Sequence, residues 1–191
     1  MTKLPNHTAL KEWAAVISAL GSGDQFVLIR KGGIADSQFR VEADRFYLFP
    51  TYLHQEEKQF KPVFRRHLET TRLAGGEPSQ VSITTWCEVV ETMSVRDLSA
   101  LNRLDPYVIF TDGTLKERFR FREDQAVHVI AVRAHLLPRP VSIISRPSYA
   151  GCRSWISVDD EIDVTGSRPV LDERELRRRV AAIRRLVHSD Q

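Results

Sequence analysis

Two adjacent cations, Arg30 and Lys31, close the apolar run Phe26-Val27-Leu28-Ile29, and Gly32 and Gly33 follow at once. Glycine has no Cβ and accepts φ > 0, so a partner can approach the backbone closely while the cations point toward it. That arrangement suits a phosphate or another anion. Further on, Phe49-Pro50-Thr51-Tyr52-Leu53-His54 ends a second strand, and Thr51 and His54 supply polar groups for the same rim. Ser154 joins them from the distant run Gly151-Cys152-Arg153-Ser154-Trp155. The plainer alternative for Arg30 to Gly33 is a charged strand end followed by a tight hairpin.

Other residue types offer competing chemistry. Glu12, Glu42 and Asp44 are carboxylates that could hold Mg²⁺ in a metal-dependent nuclease, with Lys31 positioning the attacked phosphate. Arg45 is a poor stand-in for a catalytic lysine, because a guanidinium does not deprotonate. Outside that alternative no metal or cofactor is expected. Cys152 with His54 or His135 would form a thiol and base, set against a small buried cysteine in a turn. His128 and His135 lie on opposite faces of a regular strand and cannot share one metal. Neither a Gly-x-x-x-x-Gly-Lys-Ser/Thr loop nor a dinucleotide fingerprint occurs. Arg118-Phe119-Arg120-Phe121-Arg122 reads as a strand with an arginine face, either solvated or tracking a phosphate backbone. Tyr52, Trp86 and Trp155 are stacking candidates or core residues.

The elements that must position these groups follow from periodicity. Leu10, Trp13, Ala14, Ile17 and Leu20 predict a helix over 8–20 with Thr8 as N-cap. A strand over 26–30 follows, then a hairpin of 39–43 and 45–49 turned at Ala43-Asp44, with Pro50 ending the pairing. Residues 54–68 read as a helix interrupted at Pro62, and 73–78 as a hinge loop. Strands are expected over 81–92, 106–110, 115–121, 126–137 and 141–144, with 151–156 leading into a last one. A short helix is expected over 94–102, capped by Ser94 with Asp97 at its third position. Residues 172–187 form a final helix with the apolar stripe Leu176, Val180, Ile183 and Val187, acids in its first turn and arginines later.

The order reads as α+β, built on a strongly curved mixed sheet or small β-barrel of six or seven strands with flanking helices. Residues 1–166 make one domain, and 167–191 an Arg-rich amphipathic appendage through which the chain could form a homo-oligomer. Truncation after Ser167 is expected to leave a folded chain. At 191 residues with 42% apolar and 28% charged content, the composition is ordinary for a globular protein and argues against wholesale disorder. A net charge of +3 does not by itself mark a nucleic-acid binder. Two cysteines without metal-ligand spacing fit free thiols in a reducing cytosol. The N-terminus lacks the apolar core of a signal peptide, and no apolar run approaches the ~18 residues of a membrane span, so the expectation is a soluble cytoplasmic protein.

Four segments, Ala9 to Trp13, Leu28 to Ile34, Phe49 to Gln55 and Gly151 to Trp155, resemble an uncharacterised bacterial family, domain of unknown function 1802. That resemblance implies an association with restriction-modification systems and no defined activity. A helix, a glycine turn and a strand ending in Arg are also similar to the opening of ASCH and related PUA-like barrels. Those carry Gly-x-Lys-x-x-Glu-x-Arg, where this chain has Gly23 and Arg30 but Gln25 and Leu28 in place of the Lys and Glu. The second resemblance implies binding of RNA or of flipped, modified bases, and carries only Arg30 over as a site residue. The combined expectation is a nucleic-acid binding module using Arg30, Lys31, Gly32, Gly33, Thr51, His54 and Ser154. A nuclease and an adaptor without a site are the alternatives.

Overall fold

The computed structural model describes residues 2–31, 39–73, 78–121 and 125–188. The expected Gly32, Gly33, Arg122 and most of the 73–78 loop lie outside that set. The expected first helix divides in two: strand β1 (Thr8–Trp13) runs directly into helix α1 (Ala14–Ser22). Leu10 and Ala9 are both fully buried, on opposite faces of β1, which a one-faced helix stripe cannot produce. Gly23 then stops α1 in the left-handed conformation at φ 81°, and its N–H bonds Leu20 O.

Strand β2 (Val27–Arg30) follows, and β3 (Arg45–Thr51) stands without the expected hairpin partner over 39–43. Pro50 lies inside β3 instead of ending it. Pairing of β3 with the strand on its other side stops at Tyr47, so the missing N–H of Pro50 costs no bond there. Residues 57–64 form two short 3₁₀ turns before helix α2 (Arg65–Thr71), replacing the long helix expected over 54–68.

Strands β4 (Gln80–Val95) and β5 (Val127–Ile144) are long partners, and 141–144 is simply the end of β5. Helix α3 (Leu98–Asn102) is capped by Asp97, which accepts from the Ser99 and Ala100 amides, while Ser94 belongs to β4. Residues 105–107 form a 3₁₀ turn in place of the expected strand. The expected strand over 115–121 is helix α4 (Asp112–Arg120). Thr111 caps it, Asp112 fills the first turn, and Leu115 and Phe119 fall on one helical face four apart. Arg118 and Arg120 therefore point in different directions and make no ladder. Strands β6 (Trp155–Ser157) and β7 (Arg168–Pro169) and helix α5 (Glu173–His188) complete the chain.

The strands form one seven-stranded sheet in the order β2-β5-β4-β3-β1-β6, with β7 also on β5. Among the described residues only the β1–β3 pair is parallel. Register shifts between Ile83 and Thr85 and between Val89 and Glu91 bend the β4–β5 ribbon. The sheet curls far enough that the end of β2 meets the end of β1, although three strands separate them in pairing order. Strand β3 sends Phe46 and Leu48 into the main core and Tyr47 and Phe49 into a second cluster, so it is covered on both faces. Leu176, Val180 and Ile183 of α5 are buried in the main core. No helix among the described residues is long and apolar enough to cross a membrane.

Two polar clamps fix the elements around β2. Gln25, 1% exposed, donates to Val27 O and accepts from the Ile109 amide. His67 of α2 bonds both Ser18 of α1 (2.9 Å) and Asp24 (2.8 Å), tying the two helices together.

Candidate functional site

Where β2 and β1 converge, the molecule opens into a cleft of about 740 Å³. Five of the residues picked out by sequence, Arg30, Lys31, Thr51, His54 and Ser154, line it together. A shallower extension of about 330 Å³ continues past Glu12 and Thr114 and shares Lys11, Trp13, Arg30 and Arg118 with the main cleft.

Arg30 sits at its centre. Its Nη1 donates to Lys11 O (3.2 Å) and to the Glu12 carboxylate (3.3 Å), and its guanidinium lies 5.4 Å from the Phe39 ring centroid. Glu12 is 4% exposed and also accepts from the Trp13 amide. Next to this pair stands Arg118, which sequence reasoning had placed on a strand face. From α4 its guanidinium lies 4.5 Å from the centroids of both Trp13 and Phe110 and donates to Ile29 O. Burial pulls the Arg118 pKa down; Glu12 nearby pushes it up and Arg30 pushes it down again. The Nε atoms of Arg30 and Arg118 are both buried with no hydrogen-bond partner among the described residues. Lys11, Arg30, Lys31, Arg118 and Arg153 line the cleft and its extension against the carboxylates of Glu12 and Glu117, so cationic side chains outnumber anionic ones there.

Lysines flank this floor. Lys31 Nζ donates to Phe119 O and lies 5.2 Å from the Phe119 ring centroid. Lys11 Nζ holds the 149–151 loop by bonds to Tyr149 O and Gly151 O, both 2.8 Å. The Lys11 amide bonds Ser154 O, so β1 places Ser154 at the cleft wall. Thr51 donates to Glu12 O, and Gln55 bridges Thr51 O to the Ala15 amide at the start of α1. His54 is exposed at the rim with φ 62°, the left-handed conformation that non-glycine residues seldom take. Leu53 and Phe121, 47% exposed each, give the mouth an apolar edge.

Other candidates do not converge. Glu42 and Asp44 are exposed at the far end of β3, whereas Glu12 pairs beside Pro50. Six residues of extended strand separate Asp44 from that point, about 20 Å. No group of three His, Cys, Asp or Glu among the described residues could hold a metal. The nuclease reading thus loses its ligand set, and Glu12 serves as the counter-ion of Arg30. Cys152 is a free thiol exposed in the cleft lining, in place of the small buried cysteine expected in that turn. His135 instead stacks 3.9 Å from Trp86 on β4 and faces Glu88. Trp86 and Trp155 are core residues, each 8% exposed.

A protein-family model, "Domain of unknown function (DUF1802)", matches residues 9–182. The chain belongs to that family. No curated protein is similar enough to the DUF1802 chain to count as a match. Among solved structures it is similar to the ASCH protein from Zymomonas mobilis, at 13% identity and a TM-score of 0.47, over 91% of this chain and 93% of that one. A point mutant of the same Zymomonas protein aligns over 95% of this chain and 99% of its own, at 11% identity and the same TM-score. The site residues missed in the sequence, Arg118, Lys11 and Trp13, had one legible signal: the Thr111-Asp112 start of α4, which would have turned Arg118 inward.

Proposed function

We propose that this DUF1802 protein binds single-stranded nucleic acid by admitting one unstacked nucleotide into the cleft. The phosphate would meet Arg30, Lys31 and Arg118, and the base would lie against Phe121 and Leu53 at the mouth, within reach of Thr51, His54 and Ser154. The observation that supports this reading is the gathering of Arg30, Lys31 and Arg118 in one cleft whose cationic side chains outnumber its carboxylates. Arginine forks suit phosphate oxygens, and aromatic edges accept any base by stacking. A cleft of about 740 Å³ falls in the range of small-ligand sites and is far too small for a duplex.

Binding of labelled single-stranded RNA and DNA, measured by fluorescence anisotropy across a salt series, tests it. Replacing Arg30 and Lys31 with Ala should weaken binding and reduce the slope of log K against log salt by about 1.4, near 0.7 per lost phosphate contact. Lys31→Ala alone, which leaves the Arg30–Glu12 pair in place, should give about half that change. An unaltered affinity and slope in both variants would reject the site.

A further inference from the structure

Glu117 is a carboxylate in a cleft lined mainly by cations, and it borders both the main cleft and its extension. The extension's other carboxylate, Glu12, is buried and engaged by Arg30 and the Trp13 amide. Glu117 is exposed, and among the described residues its carboxylate makes no hydrogen bond or ion pair. Lys58 lies within electrostatic range of it, but that ammonium is held by Glu56 at 2.8 Å. Helix α4 fixes where the carboxylate stands. The Phe121 amide bonds Glu117 O at 3.0 Å, so the turn between them is closed and both side chains leave the helix on the cleft side. At that spacing their Cβ atoms are about 5–6 Å apart. Arg118, the next residue, lies 4.5 Å from the ring centroids of both Trp13 and Phe110, which anchors the turn from within. A carboxylate so placed repels phosphate, and it accepts hydrogen bonds but donates none. The cleft therefore suits a ligand that carries an anionic group and, apart from it, N–H donors.

We infer that Glu117 reads the base and makes the cleft select guanine. The inference rests on the reading of the cleft as a nucleotide site, in which the base lies against Phe121. A base stacked on that ring turns its edge toward the carboxylate one helical turn away. Among the common bases only guanine offers two adjacent donors on one edge, N1–H and the N2 amine, to match the two oxygens of a carboxylate. Adenine and cytosine each present one amine beside a ring-nitrogen acceptor, whose lone pair would face the second oxygen. Uracil and thymine set a single N–H between two carbonyls, and both carbonyls oppose the carboxylate. A well-formed bidentate pair separates the right base from the wrong one by roughly 5- to 150-fold.

Calorimetry with GMP, AMP, CMP, UMP and inosine monophosphate reads this out, beside anisotropy with uridylate heptamers carrying one central guanine or adenine. The unmodified protein should bind GMP roughly 5- to 150-fold more tightly than UMP, and the guanine heptamer more tightly than the adenine one. Inosine monophosphate keeps N1–H but lacks the N2 amine, so it should lose most of that gain. Glu117→Gln should bring GMP down to the level of AMP and strengthen UMP, because the like charge near its phosphate is gone. A thermal melt checks that this exposed substitution leaves the fold intact. Equal affinity for all the monophosphates, or a guanine preference that survives in Glu117→Gln, would overturn the inference and leave the cleft reading standing. Guanine preference among monophosphates without any binding of heptamers would keep the role of Glu117 and make a free guanine nucleotide the ligand in place of a strand. No binding of any monophosphate or heptamer would remove the cleft reading and this inference with it.

Discussion

Replacing Glu12 with Gln should make the protein less stable and the cleft more attractive to anions. Glutamine has the same shape, so the bond from the Trp13 amide survives and only the charge facing Arg30 disappears. The charged atoms are 3.3 Å apart, with the side chains 15% and 4% exposed. At an effective dielectric of about 20, that separation is worth roughly 5 kcal/mol of attraction. Relief of the buried carboxylate's desolvation returns several kcal/mol, so the net loss should be about 1–3 kcal/mol. For a chain of this size the midpoint of thermal unfolding should fall by about 3–10 °C. A phosphate docked beyond Arg30 would sit about 7 Å from the former carboxylate, and losing that repulsion is worth about 2 kcal/mol at low salt, near thirtyfold in affinity. Thermal melts and oligonucleotide anisotropy on the same preparation measure both signs. Equal stability and equal affinity would show that the pair is inert. A loss of affinity would mean that Glu12 contacts the ligand and does not compete with it.

Gln25→Leu should cost about 2–5 kcal/mol, because it strands the Ile109 amide and Val27 O in the interior, and denaturant unfolding that shifts by less than about 1 kcal/mol would contradict the clamp. Burial lowers the pKa of His67, His128 and His135 below their ordinary 6.5. The unfolded chain then binds more protons just below pH 6.5, so the denaturation midpoint should fall as pH drops from 7.5 to 5.5. Asp24, lowered from 3.8, should add its own loss only as pH falls through its folded pKa below that value, and a flat profile from 7.5 to 5.5 would refute the histidine assignment. Truncation after Ser167 tests the proposed boundary between residues 166 and 167. It removes Leu176, Val180 and Ile183 from the core, each worth about 1.5–3 kcal/mol. A folded remnant melting at least 10 °C lower is expected, with light scattering reporting any change of oligomeric state, and loss of a cooperative melt would refute a separable unit.

The long elements were legible because their signals are redundant. Strands β4 and β5 carry runs of Val, Ile and Thr over many residues, and α5 pairs a clear stripe with charges ordered along its axis. The misread elements are short ones where two periods fit. Leu10, Trp13 and Ala14 satisfy a helical spacing, yet β1 is wedged between β3 and β6, and only that tertiary pairing decides its state. In α4 the alternation of Phe with Arg matched a strand, while the Thr111 cap and the Leu115–Phe119 spacing were the better evidence. At the site, Arg30, Lys31, Thr51, His54 and Ser154 could be picked out by local chemistry. Arg118 was harder to pick out, because the helix start at Thr111-Asp112 competes with the Phe–Arg alternation and its ring partner Trp13 lies on β1, distant in sequence.

The position of β2 in the sheet has a consequence for biosynthesis. Arg30 is made early, but among the described residues β2 pairs only with β5, where His128 lies opposite Arg30. At 5–20 residues per second, roughly 5–20 s of translation separate the two. Through that interval β2 lacks its β5 partner, and Arg118 is made only near the end of it. The cleft is therefore among the last features to assemble, and a stalled or prematurely ended chain would carry its cations without the geometry that makes them selective.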